Sequence, residues 1–503
     1  MLAKIQGQSL LVCSIVLASN IFGAGRAEAQ AVPSCQLDAK QVILKSTLLK
    51  SASAGDASAL EQYNQLVKTH AAELARCRQS SWPKTQGIWL RVYPCDLKSG
   101  QLEQVLDNIS NFGYNRIYLN TFYDGRVLLP KNNNPTLWPS VVGDEEKNAD
   151  MLAKVIQLAR QRGIKVYAWV FAMNFGPGYA NRADRKAAIA RNGYGETNLQ
   201  DPSGLPDVVK VAHIFVDPFS TQARMDLRIL INAVAKRKPD GIVFDYIRYP
   251  HRTESIVSNV RDLMIYGLSS GKTLLSRGLT GQGRELIYQY LKDGKITKKV
   301  ALRSQLWRFP NQQTASKASA KKGQNINQAL WQLSLAHART GVIEFLESVS
   351  EPARRQNIPT GAVFFPKANR TFGEGVDARL QPWNEFTNVT EWAPMSYSTC
   401  GSANCILEEI SLVLQQQTGN QVICPVLAGY WGRDVGSRVS LETQMLAVRG
   451  KFPQIDCVSH FAYSWLDLAA DQQRRDCKLS RAVSLAPNWF DRANNLSQPF
   501  AFK

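Results

Sequence analysis

Asp240-Gly241-Ile242-Val243-Phe244-Asp245-Tyr246-Ile247-Arg248-Tyr249-Pro250 runs an apolar segment straight into charge. Ile242, Val243 and Phe244 have the β-branched and aromatic character of a buried strand, bounded by Gly241 and Pro250. Asp245 and Arg248 then arrive where the same core would continue, and charges in a core must be paired or reach water. Either the two brace each other at a strand end, or they face a solvent-filled site. In a parallel α/β barrel the chemistry sits at the C-terminal strand ends. Asp245 is therefore the first candidate for a catalytic carboxylate.

Outward from this segment the same alternation repeats. Strands are expected at Gly87–Tyr93, Arg116–Phe122, Lys165–Phe171, Gly241–Ile247, Gly361–Phe365, Glu391–Tyr397, Val422–Ala428 and Val458–Trp465. Amphipathic helices are expected between them, for example at Gln101–Phe112, Ala149–Arg162, Thr221–Arg237, Leu330–Ser350 and Leu441–Lys451. Strand and helix in alternation imply an α/β fold, a (β/α)8 TIM barrel. A doubly wound open sheet is the alternative, but no Gly-rich phosphate loop follows the first strand. The stretch 251–330 is too long for a plain connection and reads as an insertion with its own helices. Residues 30–83 carry helical periodicity (Leu37, Val42, Leu48, Leu49, then Leu60, Tyr63, Leu66, Val67) broken near Ser51–Gly55, the pattern of an N-terminal helical hairpin. The barrel domain is thus expected over 84–503.

Residues 1–29 read as a secretory signal peptide: Lys4, an apolar run from Leu10 to Phe22, and Ala27-Glu28-Ala29 as the cleavage site. That run is short for a membrane span, and no later segment is long and apolar enough, so no transmembrane segment is expected after cleavage. The mature chain is expected to be exported, periplasmic or extracellular. Export makes Cys35, Cys77, Cys95, Cys400, Cys405, Cys424, Cys457 and Cys477 disulfide candidates. Cys35 with Cys77 would staple the hairpin, and Cys400 with Cys405 would close a short loop, although spacing alone does not fix the pairing. No C-x-x-C pair occurs and the five histidines lack ligand spacing, so no metal site and no cofactor are expected.

The chain carries a net charge of +19. Twelve Lys/Arg against Glu285 and Asp293 lie between Ser270 and Leu330, about half of that excess. Such a concentration favours an anionic polymer at the insertion. Nucleic acid is disfavoured by export and by the lack of a binding module. For Thr314–Gly323 (TASKASAKKG) a solvated, structureless segment is the better reading.

The expected strand ends share a composition. Asn120, Tyr123 and Asp124 stand at the end of the second strand, Trp169 and Asn174 at that of the third, Tyr246 and Arg248 at that of the fourth. Tyr397 stands at the end of the sixth, Tyr430 and Trp431 at that of the seventh, and Trp465 and Asp467 at that of the eighth. Aromatic rings stack on sugar C–H faces, and interleaved polar groups bind hydroxyls. One such ring is more often core, but recurrence at one end of successive strands points to a polysaccharide substrate. Glycoside cleavage needs an acid and a second carboxylate. Asp245 supplies one; Asp467 and Asp124 are candidates for the other. Glu391 stands at the start of its strand and is read as structural, and Glu385 stays open. Arg248 either orients Asp245 or holds an acidic substrate group. No G-x-S-x-G elbow supports serine-hydrolase chemistry.

The motifs GIWLRVYP, VYAWVF, VDPFSTQAR, DGIVFDYIRYP and APMSY resemble glycosyl hydrolase-like family 10, over roughly Gly87 to Asp467. The resemblance implies a TIM barrel, export or lipid anchoring, and action on bacterial glycans, including peptidoglycan strands stripped of stem peptides. It sets Asp245 on the family's strand-four acidic position. Trp169, Tyr246, Arg248, Tyr249, Met395 and Tyr397 fall on motif positions around the cleft. The basic insertion and the N-terminal hairpin depart from the family pattern. The expected function is an exported glycoside hydrolase acting on a cell-wall or extracellular polysaccharide. The alternatives are a glycan-binding barrel without catalysis and a scaffold that holds anionic polymer.

Overall fold

Eight parallel strands close on themselves in the computed structural model, which describes residues 35–200, 213–251, 256–298, 306–310 and 325–477. They are β1 (Thr85–Leu90), β2 (Arg116–Tyr123), β3 (Lys165–Phe171), β4 (Gly241–Asp245), β5 (Thr360–Phe364), β6 (Glu391–Ser396), β7 (Val426–Ala428) and β8 (Cys457–Phe461). Each pairs in parallel with the next, and β1 pairs with both β2 and β8, which completes a (β/α)8 barrel. Closure leaves the barrel itself without an edge strand among the described residues.

Alternation along each strand decides what fills the barrel. On β1 the inward set is Gly87, Trp89 and Arg91; on β2 it is Arg116, Tyr118 and Asn120; on β3 it is Tyr167, Trp169 and Phe171. Trp89 stacks on Tyr118 with centroids 4.3 Å apart and meets Trp169 edge-on at 4.9 Å. Rings of this size leave no room for a neighbouring side chain. A Cβ on Gly241 would stand 2.3 Å from the Tyr167 ring, and one on Gly87 would stand 2.7 Å from the Tyr118 ring. Glycine at these strand starts is therefore a packing requirement.

The barrel floor is polar and closed. Glu391 accepts from Arg116 Nη1 at 2.5 Å and from Tyr118 Oη at 2.7 Å. All three are buried, and the Cys424–Cys457 disulfide lies against them. This pairing gives Glu391 the structural role expected of it, because a carboxylate this deep needs both donors.

The hairpin helices, Ala39–Ser53 and Ala57–Ser80, pack on the barrel's helical shell rather than standing apart. Asp107 anchors them, accepting from Tyr63 Oη at 2.9 Å and from Arg162 Nε at 2.8 Å, with Lys45 Nζ at 3.8 Å. Disulfides join Cys35 to Cys77, Cys95 to Cys477, Cys400 to Cys405 and Cys424 to Cys457. The hairpin staple and the short loop were both expected.

After β4 the insertion carries helices Leu268–Leu275 and Gly281–Asp293. Its Ile256–Val257 pairs antiparallel with Val376 and Asp377 from the loop after β5. The insertion is thus tied to the loop after β5. Residues 1–29, where a signal peptide was expected, and the Thr314–Gly323 segment lie outside the described residues.

Candidate active site

Asp245 ends β4 and faces into the barrel mouth. Its backbone is fixed by a bond from Ala172 N to its carbonyl (2.6 Å) and by register opposite Phe171. The residue is 7 % exposed. Oδ2 accepts from Trp169 Nε1 at 3.1 Å, and Oδ1 accepts from the Tyr246 N–H at 2.6 Å. Burial pushes the carboxyl above the ordinary carboxylate range, while the Tyr246 N–H, the charge of Arg248 and the Trp169 N–H pull the other way. Burial prevails, and the group holds its proton to higher pH than a free aspartate.

The surrounding rings explain the desolvation. Trp169 meets Phe171 at 5.6 Å and Phe461 at 6.2 Å, and Phe461 meets Tyr397 at 5.8 Å. Tyr246 packs on Phe171 at 4.4 Å and adopts φ +54°, a left-handed conformation disfavoured for an aromatic residue. Strain of this kind concentrates at functional sites. Burial, then the Asp245 charge, pushes the Tyr246 hydroxyl up to about 12. The same two causes raise Tyr397 well above the usual tyrosine value.

Asp124, also at positive φ (+48°), follows β2. Its Oδ2 lies 3.8 Å from Arg91 Nη1, and both side chains keep about a third of their exposure (36 % and 37 %). Asn120 accepts from Arg91 Nε at 3.1 Å, and the guanidinium rests over the Tyr123 ring at 4.2 Å. Asn120 and Tyr123 therefore hold Arg91 in place. Asp124 acts electrostatically on Tyr246 and on His213, whose Nε2 is 3.4 Å from Tyr246 Oη. Burial lowers the His213 value, and the Arg248 charge adds to that effect. Asp124 is thus linked to the neighbours of Asp245.

Other expected residues sort differently. Tyr430 and Trp465 stack at 4.9 Å and 15°, with Arg433 over Tyr430 at 4.4 Å, forming a half-buried aromatic platform where β7 and β8 end. Three placements depart from expectation. Trp431 turns away from the mouth: its Nε1 donates to Tyr114 Oη at 3.0 Å and its ring meets His460, which points outward from β8. Asn174 is buried, and its Oδ1 accepts from Ile214 N at 3.0 Å and Gly176 N at 3.3 Å, so it fastens the loop after β3. Asp467 is exposed and caps helix Leu468–Asp476 by accepting from Ala470 N at 3.0 Å. That helix start needs an acceptor, and Asp467 supplies it.

Arg248 makes no ion pair with Asp245. Its Nη1 donates to the Tyr249 carbonyl at 3.0 Å, and its guanidinium lies over Tyr246 at 4.8 Å. Away from the mouth, Ser270 Oγ meets His337 Nε2 at 2.9 Å, but Arg277 Nε donates to His337 Nδ1 at 3.2 Å. With Nδ1 accepting, Nε2 carries the proton, so His337 cannot act as a base toward that serine. Among the described residues no cluster of His, Cys, Asp and Glu could hold a metal ion.

The chain is thus a closed (β/α)8 barrel whose mouth buries the Asp245 carboxyl among aromatic rings. Residues 75–278 match the model of the family described as Glycosyl hydrolase-like 10, the family that the motifs resemble. The matched span contains Arg91, Asp124, Trp169, Asp245 and Arg248. Similar solved structures include the catalytic domain of a β-amylase from Paenibacillus polymyxa, at 10% identity, covering 79% of this chain and 98% of that one, with a TM-score of 0.46. A β-galactosidase from Marinomonas ef1 matches at 9% identity over 75% of this chain and 54% of that one, TM-score 0.45. An exo-β-N-acetylglucosaminidase from Vibrio harveyi matches at 10% identity over 76% and 50%, TM-score 0.39. No curated protein sequence matches the chain.

Proposed function

We propose that the protein is an exported glycoside hydrolase that cuts a bacterial cell-wall or extracellular polysaccharide. The observation that carries this reading is Asp245: a buried carboxyl, raised by desolvation, at the end of β4 among Trp169, Tyr246, Tyr397 and Phe461. A glycosidic oxygen needs a proton as the bond breaks, and a carboxyl that keeps its proton is suited to give it. Asp245 is assigned as general acid. Asp124 is the better partner carboxylate, because it shares an electrostatic environment with Tyr246 whereas Asp467 is engaged as a helix cap. Arg91 steadies Asp124. The Tyr430–Trp465 pair offers a sugar platform beyond the reacting centre.

Four disulfides support an oxidising compartment. No helix among the described residues is long and apolar enough to cross a membrane. The basic insertion is assigned an accessory hold on anionic polymer; replacing the exposed Lys272, Lys292, Lys295 and Lys298 with glutamine should weaken that binding and leave hydrolysis in place. The function is tested by incubating the purified protein with peptidoglycan glycan strands stripped of stem peptides and analysing released oligosaccharides. Release that depends on Asp245 supports the reading. Tight binding without release would make the protein a glycan-binding barrel instead.

A further inference from the structure

His213 reaches the barrel mouth from the connection between β3 and β4, and side chains grip its backbone on both sides. Asn198 Nδ2 donates to the His213 carbonyl at 2.5 Å, while Asn198 Oδ1 accepts from Phe215 N at 3.2 Å. Asn174 Oδ1 accepts from the intervening Ile214 N at 3.0 Å, and Asn174 itself bridges antiparallel to Phe215. Both asparagines are buried, whereas His213 stays half-buried. The chain path is therefore fixed at the residue whose ring is left free to face the mouth. That ring meets Tyr246 edge-on at 5.2 Å, with Nε2 at 3.4 Å from Tyr246 Oη.

Tyr246 needs such a partner. Its backbone is left-handed, and its ring is set by Phe171 at 4.4 Å and by the Arg248 guanidinium at 4.8 Å. These contacts fix the plane of the ring but not the direction of its hydroxyl. Among the described residues His213 is the one hydrogen-bond partner of that hydroxyl. Burial lowers the His213 value, the Asp124 charge opposes this and the Arg248 charge assists it, so the imidazole is neutral at neutral pH. A neutral imidazole carries one donor and one acceptor nitrogen, and either can fix a hydroxyl. We propose that His213 is a positioning residue, holding the Tyr246 hydroxyl over the cleft to bind the sugar whose glycosidic bond Asp245 protonates. The inference rests on the hydrolase reading above and adds to it a residue from outside the strand ends. Hydrogen bonds to a sugar hydroxyl strengthen as the ring distorts toward the transition state, so the effect belongs in kcat.

The test is a double-mutant cycle on the full chain, with stripped peptidoglycan strands as the probe. His213→Phe keeps a ring beside Tyr246 but has no nitrogen, and it should lower kcat about 3- to 10-fold with KM nearly unchanged. His213→Gln keeps a donor and an acceptor and should recover part of that loss. Tyr246→Phe removes the hydroxyl and should lower kcat at least as much. Adding His213→Phe to Tyr246→Phe should then cost nothing more, because the group that His213 positions is already gone. A purely structural role predicts losses that multiply in the double variant, no recovery by glutamine, and a lowered melting temperature. Multiplying losses, or full activity of His213→Phe, overturn the proposal. Glycan affinity is measured by calorimetry on the same proteins. Binding without release by the wild-type protein overturns the hydrolase reading alone, and the cycle is then read in Kd. The positioning role stands if His213→Phe weakens binding only where the Tyr246 hydroxyl is present, and falls if the loss is the same without it. Neither binding nor release by the wild-type protein overturns both.

Discussion

Replacing Trp169 with phenylalanine removes the indole N–H that faces Asp245 and keeps an aromatic ring against Trp89, Phe171 and Phe461. The lost bond spans 3.1 Å and is charge-assisted when Asp245 is ionised. Such bonds contribute about 1.5–3 kcal/mol, and in this buried setting water does not replace the donor. The bond favours the carboxylate, so its loss lets the acid keep its proton to higher pH. Asp245 serves as general acid only while protonated, and activity falls as pH rises through its titration. Removing the Trp169 N–H must therefore move the alkaline limb of the kcat/KM–pH profile upward, by about one to two pH units. The assay is the rate of oligosaccharide release across a pH series for wild type and Trp169→Phe. A limb that stays in place, or moves down, would refute the assignment of Asp245 as the proton donor held by this bond.

Three further outcomes follow from the packing. Glu391→Ala strands Arg116 in the barrel floor and should cost about 3–5 kcal/mol, read as a lowered denaturation midpoint. Gly241→Ala drives a methyl into the Tyr167 ring and should cost about 1–3 kcal/mol by the same measurement; no change would show that β4 can shift at its start. Tyr430→Ala removes half of the stacked platform and should raise KM about 3- to 10-fold with kcat nearly unchanged, as expected for uniform substrate binding.

The barrel was legible because its strands carry their own punctuation. Lys165–Phe171 and helix Leu441–Lys451 stand where periodicity put them. The seventh strand was expected unbroken over Val422–Ala428, but Pro425 divides it into Val422–Ile423 and Val426–Ala428. Proline has no N–H for the ladder, although its carbonyl still accepts from Ser459 N at 2.9 Å. The eighth strand stops at Phe461, short of the expected Trp465, and a 3-10 turn follows at Tyr463–Trp465.

The site was half legible. Asp245, Trp169 and Tyr397 converge because alternation from a known strand fixes which side chains point inward; Tyr246, next to Asp245, joins them through its left-handed φ of +54°. Arg91 follows Gly87 and Trp89 on the inward face of β1, so the same rule would have found it. His213 carries no such signal, since it lies in a connection and reaches Tyr246 only through tertiary folding. Trp431, Asn174 and Asp467 were misplaced for the matching reason. Each lies past its strand, where the loop path and the needs of helix caps, not period two, aim the side chain.

Asp245→Asn is the most direct test of the central claim. The amide keeps the size of the side chain but cannot supply the proton. Wild type and variant, matched for secondary structure and thermal unfolding, are given stripped glycan strands and their products quantified by chromatography. The account predicts measurable oligosaccharide release by wild type and a loss of at least about 100-fold in the variant, with glycan binding retained. Unchanged release by Asp245→Asn would contradict it.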